Sequence, residues 1–207
     1  MPKRVDHALR RDEIALVACR AVAQRGFERA TVAQIARAAG YTTGMVAYYF
    51  DSKQEIILAA LRLILRRMDQ RLRGGAPAAA RAGLLEVLTE ALPIDAQRRI
   101  ECAFWTAFWG QLSADPRLKR LNAWVHREYR RLFERCLAEQ WPESRNWPAA
   151  VRGQALRSLI TFINGITTSA VSSPRDWPGH VQVRQLELHL GLLRAWAQSA
   201  TQAGITE

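Results

Sequence analysis

Between Thr31 and Phe50, two short stretches of helical pattern meet at a glycine, and each is opened by a threonine. Thr31-Val-Ala-Gln34 reads as a capping box: the threonine hydroxyl accepts from an early helical N–H while the glutamine reaches back to the cap. Val32, Ile35, Ala36 and Ala39 then fall on one helical face. Gly40 can adopt the left-handed conformation that closes a helix in a tight turn. Thr42 can cap a third short helix, in which Val46 and Phe50 are spaced to face inward. A glycine turn between two capped helices this short leaves little choice but a helical pair packed close, with Ala36 and Ala39 small enough to permit it.

The rest of the chain keeps the helical period. Ile14, Val17, Ala18, Ala21 and Val22 predict a first amphipathic helix ending at Gly26. Ser52-Lys-Gln-Glu55 is a second capping box, opening a long fourth helix with Ile57, Ala60, Leu61, Ile64 and Met68 on one side. Gly74-Gly75-Ala-Pro77 is the clearest break. Further helices are expected at roughly 78–91, 95–113, 117–140, 149–172 and 179–200, separated by Pro93, Asp115-Pro116, Trp141-Pro142 and Pro174 to Pro178. With 207 residues and 49% hydrophobic side chains, a real core is affordable and disorder is excluded. The expected fold is all-α: an N-terminal three-helix domain over 1–52, a connecting helix and junction over 53–75, and a larger helical bundle over 76–207.

Helix, glycine turn and short helix are the skeleton of a helix-turn-helix, whose second helix enters the DNA major groove. With Val46 and Phe50 inward, Thr43, Gly44, Met45, Ala47, Tyr48 and Tyr49 are left on the outer side. Hydroxyls there can meet phosphates or base edges, and Met45 can meet a thymine methyl. Gly44 allows close backbone approach, and Lys53 sits where a cation and a helix N-terminus can both meet a phosphate. The formal charge of +11, with 14 basic against 7 acidic side chains in residues 1–73, fits a polyanionic partner. The same charge also fits a second reading, a basic helical protein that binds membranes or partners without reading DNA sequence.

The run ATVAQIARAAGYTTGMVAYYFDSKQEIILAAL resembles the N-terminal signature of the TetR family of bacterial transcriptional regulators. That resemblance implies that Thr31 caps a helix beside the phosphates and that Thr42, Thr43, Gly44 and Met45 approach bases or backbone. Tyr48, Tyr49 and Lys53 would bind phosphates. Two positions depart from the family: Ala47 stands where tyrosine is commoner, removing that phosphate contact, and Tyr41 stands where a small aliphatic residue is usual. It further implies a cytoplasmic homodimer joined through its last two long helices, a double-stranded operator, and release of a repressor by a small molecule.

Phe104-Trp-Thr-Ala-Phe-Trp109 and Asp115-Pro-Arg-Leu-Lys-Arg120 are similar to the choline-responsive, BetI-like branch of that family. Glu101, Trp105 and Phe108 lie four and three residues apart, flanked by Phe104 and Trp109. A carboxylate beside aromatic faces can hold a cationic or aromatic ligand; equally, such a stripe can simply be core, with Glu101 reaching water. Asn164, within the apolar run Leu156, Leu159, Ile160, Ile163 and Ile166, can line a pocket or bond across a dimer seam. Leu186, Leu190 and Leu193 are a further apolar surplus expected at that seam. His7, His126, His180 and His189 have no metal-ligand spacing, and no nucleophile, P-loop or dinucleotide motif occurs, so neither a metal, a cofactor nor an enzyme is expected. Cys19, Cys102 and Cys136 lack a CxxC and are expected as buried thiols. No apolar stretch suits a signal peptide or a membrane span.

Overall fold

The computed structural model describes residues 7–73, 83–112 and 116–204. Among them are nine α-helices: α1 (His7–Arg25), α2 (Val32–Ala38), α3 (Thr43–Tyr49), α4 (Lys53–Arg73), α5 (Leu84–Thr89), α6 (Ala96–Trp109), α7 (Pro116–Gln140), α8 (Ala149–Ser172) and α9 (Gly179–Gln202). A short 3-10 turn, Pro142–Asn146, joins α7 to α8 and was not foreseen. The fold is all-α, as the periodicity requires. The Gly74–Pro77 break, and residues 78–82 of the helix expected over 78–91, lie outside the described residues.

The chain gathers into two compact units. One comprises residues up to Arg67 together with Ile100–Val125; the other comprises Met68–Arg99 and the chain from His126 onward. In the first, α1, α2 and α3 pack on one another. Their shared core holds Ile14, Ala18 and Val22 of α1, Ile35 and Ala36 of α2, and Val46 of α3, each at most 1% exposed. Ile56, Ile57, Ala60, Leu61 and Ile64 of α4 are buried as well, so the long apolar stripe read from spacing is real. Gly26 and Gly40 close α1 and α2 with φ of 82° and 74°, a left-handed conformation that a side chain would strain.

In the second unit, α9 lies along α8 and also meets α5. Leu156, Leu159, Ile163 and Ile166 of α8 face Leu186, Leu190 and Leu193 of α9 across this contact, all at most 5% exposed. This corrects the expectation for Leu186, Leu190 and Leu193, which are consumed within the chain because they occupy the α9 face that meets α8. The apolar side chains α9 leaves outside are Leu188, Leu192 and Trp196, 57%, 64% and 40% exposed. Arg98 ties the end of α5 to the start of α6 through the Thr89 carbonyl (3.1 Å), Glu90 (3.1 Å) and Asp95 (2.6 Å). No helix among the described residues is long and apolar enough to cross a membrane.

Candidate nucleic-acid interface and effector helix

Both short helices of the turn begin as their caps dictate. Gln34 N–H donates to Thr31 Oγ1 (3.3 Å) and Thr31 N–H donates to Gln34 Oε1 (3.3 Å), a complete capping box. Met45 N–H donates to Thr42 Oγ1 (3.1 Å), starting α3. At α4 the second box is rearranged: Glu55 N–H donates to Ser52 Oγ (3.2 Å), but the Glu55 carboxylate accepts from Asp51 N–H (2.8 Å), one residue earlier than the usual pattern. Helices of seven residues have little intrinsic stability. These caps and the packing of α1 therefore hold the turn.

The outer side of α3 presents Thr43, Gly44, Met45, Ala47 and Tyr48, with Thr42 exposed just before it. Tyr48 is 72% exposed and Met45 39%. Tyr49 differs from the sequence reading. It is 6% exposed, three residues from Val46, with its ring against His7 (4.6 Å between centroids) and Tyr48 (5.1 Å). Three inward residues, Val46, Tyr49 and Phe50, thus anchor α3 where two were expected.

Lys53 is also placed otherwise than expected. Its ammonium donates to the Phe27 carbonyl (2.6 Å) and sits over the Phe27 ring (4.6 Å). Partial burial pushes its pKa down, against the pull of Glu28. The side chain clamps the loop after α1, which leaves its ammonium partly committed. Exposed cations that sequence reasoning did not single out are Arg25, Arg29 and Arg37, none in an ion pair among the described residues. Arg29 and Arg37 flank the Thr31 cap, and the charge excess of this region was the signal that could have found them.

Two polar clusters from α1 fix the turn and its second helix. Arg10 donates to Glu13 (2.7 Å) and to the Tyr41 hydroxyl (2.7 Å), which itself donates to Glu13 (2.8 Å). The Arg10 bond holds the Glu13 carboxyl below the usual carboxylate range, and Glu13 in turn raises the Tyr41 phenol. Tyr41, an unusual residue here by resemblance, is therefore what stitches the turn to α1. One turn on, Arg11 donates to the Tyr49 carbonyl at the end of α3 and to Glu55 (2.6 Å), with its guanidinium over the Phe50 ring (4.1 Å). The same Glu55 caps α4, so Arg11 joins α1, α3 and α4 at one point.

On α6 the expected ligand residues pack inward. Phe104 and Phe108 are 0% exposed and Trp105 8%; Trp105 meets Phe108 edge-on (6.1 Å) and Trp109 at a tilt (6.0 Å). Glu101 does not reach water: it is 3% exposed, its carboxylate 3.6 Å from Arg67 of α4. Asn164 is half-buried on α8 in the other unit, its backbone carbonyl accepting from Thr168 Oγ1 (2.9 Å). Cys19, Cys102 and Cys136 are all free and buried. Burial drives the Cys19 thiol far above its usual pKa and pushes Cys136 up to about 11, which keeps both unreactive.

Two family models match the chain. Residues 14–60 match the model of bacterial regulatory proteins of the TetR family, and residues 80–203 match the C-terminal region of BetI-type transcriptional repressors. The HTH-type transcriptional regulator BetI of Burkholderia thailandensis is 30% identical over 169 residues, covering 80% of this chain and 84% of that protein. Among solved structures, a transcriptional regulator from Rhodococcus sp. Rha1 superposes with a TM-score of 0.74 at 25% identity, over 90% of this chain and 97% of that one. A transcriptional regulator from Saccharomonospora viridis, solved in complex with choline, has a TM-score of 0.69 at 20% identity, over 86% of this chain and 94% of that one. Members of this family act on transcription and are not enzymes. The chain belongs to the TetR family of sequence-specific DNA-binding transcriptional regulators, in its BetI-type branch.

Proposed function

We propose that this regulator is a homodimeric repressor that reads its operator through the outer face of α3 and is released by a small organic cation. The carrying observation is that face itself: Thr42, Thr43, Gly44, Met45, Ala47 and Tyr48 are exposed, while Val46, Tyr49 and Phe50 are locked beneath them. Thr43 and Met45 read base edges, Gly44 lets the backbone approach, and Tyr48 bonds a phosphate. Tyr48 takes the part that Ala47 cannot. Thr31 and the arginines beside it, Arg29 and Arg37, contribute phosphate contacts, and Lys53 acts mainly by holding the loop next to them. Buried Tyr49 supports Tyr48 and makes no phosphate contact of its own.

Dimerisation through α8 and α9 is supported by the outward stripe of Leu188, Leu192 and Trp196, which share one face of α9. That face also borders an open groove of about 510 Å³ between the two helices, lined by Phe162, Trp177 and His189 among others. Exposed apolar side chains grouped in this way mark an association surface. Asn164 then bonds across the seam or lines the groove. Two copies would set their α3 helices into successive major grooves, roughly 34–36 Å apart.

The effector class rests on Glu101, a carboxylate enclosed by Phe104, Trp105 and Phe108, which suits a quaternary ammonium group. The choline bound to the structural relative from Saccharomonospora viridis agrees with that class. Titrating choline into the protein bound to labelled DNA from upstream of its own gene tests the reading by anisotropy. Release at a defined choline concentration supports it, and a signal indifferent to choline and its quaternary analogues rejects the effector class.

A further inference from the structure

The Arg67–Glu101 pair is unlike the other arginine–carboxylate contacts of its unit. Arg10–Glu13, Arg11–Glu55 and Arg66–Asp12 close at 2.6–2.7 Å, the length of a charge-assisted hydrogen bond. Arg67 stands 3.6 Å from Glu101, so the attraction is Coulombic without tight bonding. Exposure is unequal as well: the Glu101 side chain is 4% exposed and that of Arg67 is 32%. A buried carboxylate needs a compensating charge, whereas a half-exposed arginine can swing its head group into water. The cation at Glu101 is therefore the exchangeable member of the pair.

We infer that Arg67 is a resident cation which the effector displaces from Glu101, and that this exchange unlatches α4. The inference rests on the cationic-effector reading and adds how binding is felt by the DNA-binding face. Arg67 lies on α4, twelve residues after Glu55, which places the two about 18 Å apart along the helix axis. At the Glu55 end, α4 is joined through Arg11 to the last carbonyl of α3. An ion pair thus grips α4 near each end, one facing the effector helix and one facing the recognition helix. With Arg67 on Glu101, α4 is held in the conformer that suits DNA. With an organic cation on Glu101, and Trp105 beside it, Arg67 goes to solvent and that restraint is lost. The effector binds the unlatched conformer better, which is what a population shift requires.

Arg67 and the effector are competitors in this account, and competition leaves a signature that simple support of the fold does not. Removing Arg67 should tighten effector binding while weakening operator binding. Choline affinity is measured by calorimetry, and operator affinity by anisotropy, for the wild type, Arg67→Met, Arg67→Lys and Glu101→Gln, with far-UV circular dichroism to check folding. Arg67→Met should bind choline roughly 5- to 150-fold more tightly than wild type, the usual span of coupling between two sites. It should bind operator more weakly even without choline. Arg67→Lys should fall between the two, and Glu101→Gln should keep operator binding but lose choline-driven release. Arg67→Met binding choline no tighter than wild type, or Glu101→Gln released at the wild-type choline concentration, would overturn the inference. If Arg67→Met does not fold, Arg67→Lys and Glu101→Gln carry the decision. A wild type that choline releases normally, with variants that behave alike, sinks this inference alone. A wild type blind to choline sinks the cationic-effector reading and the inference with it.

Discussion

Helices α3 and α6 belong to the same compact unit and solve opposite problems. The seven residues of α3 turn five side chains to solvent and are held from behind by two threonine caps, three inward anchors and Arg11. The fourteen residues of α6 turn Phe104, Trp105 and Phe108 inward and bury an acid among them. A helix that reads DNA must be rigid and exposed before its ligand arrives, because the duplex contacts only what projects. A helix that senses a small molecule can keep its chemistry closed until a competing conformer opens it. Exposure therefore reports function on α3, and the strained economy of a buried charge reports it on α6.

The contrast can be broken most forcefully at Arg67. Arg67→Met leaves Glu101 buried without that partner, and breaking a buried pair in this way costs about 3–5 kcal/mol. Glu101→Gln should cost distinctly less, since the stranded arginine reaches water. Urea denaturation of both variants checks the order, and equal losses would mean that Glu101 is not the constrained member. Next in size is Arg11→Ala, which removes charged hydrogen bonds at the end of α3 and should lower stability by about 1.5–3 kcal/mol. Operator affinity should fall further than stability alone explains, whereas an Arg11 variant of normal affinity would show that α3 needs no fixing from α1.

On the exposed side the effects should be smaller and cleaner. Thr43→Ala should leave folding intact and relax base preference at one operator position by about 1 kcal/mol, read from binding to a set of single-base operator variants. Arg37→Ala should weaken binding to all duplexes alike and reduce the slope of log affinity against log salt by about 0.9, one phosphate contact. Smaller still is the acid dependence of the turn. Glu13 and Glu55 are held below the usual carboxylate range chiefly by hydrogen bonds from Arg10 and Arg11. A depressed folded pKa gives stability that is present above the unfolded value and lost as pH falls through the folded one. Thermal melts should therefore show the wild type losing stability on acidification below the ordinary carboxylate range, and Tyr41→Phe losing less. Identical acid profiles would remove Tyr41 from the network.

The caps, the Gly40 turn and the long helices were legible because each depends on residues close in sequence. The helix over 149–172 was read to its ends, where Pro148 and the segment from Pro174 leave no alternative. The burial of Tyr49 was not legible: over a helix of two turns, positions 49 and 50 both lie near the inward direction set by Val46, and spacing alone cannot rank them. Lys53 was read as free because nothing local reveals the Phe27 carbonyl that it bonds. Glu101 showed its aromatic neighbours through spacing on α6, but its partner Arg67 is thirty-four residues away on another helix. Long-range ion pairs leave no periodic trace, which is why the element proposed to carry the switch emerged only from the fold.

The measurement that bears most directly on the central claim is anisotropy of a duplex from upstream of this gene against a scrambled duplex of equal length, at two salt concentrations. A regulator reading bases through Thr43 and Met45 should prefer the native duplex, and the preference should survive the higher salt because base contacts do not depend on counterion release. Equal binding to both duplexes, vanishing together as salt rises, would contradict it for that site; the same equality across a genome-wide selection of binding sites would leave only a basic surface without sequence recognition.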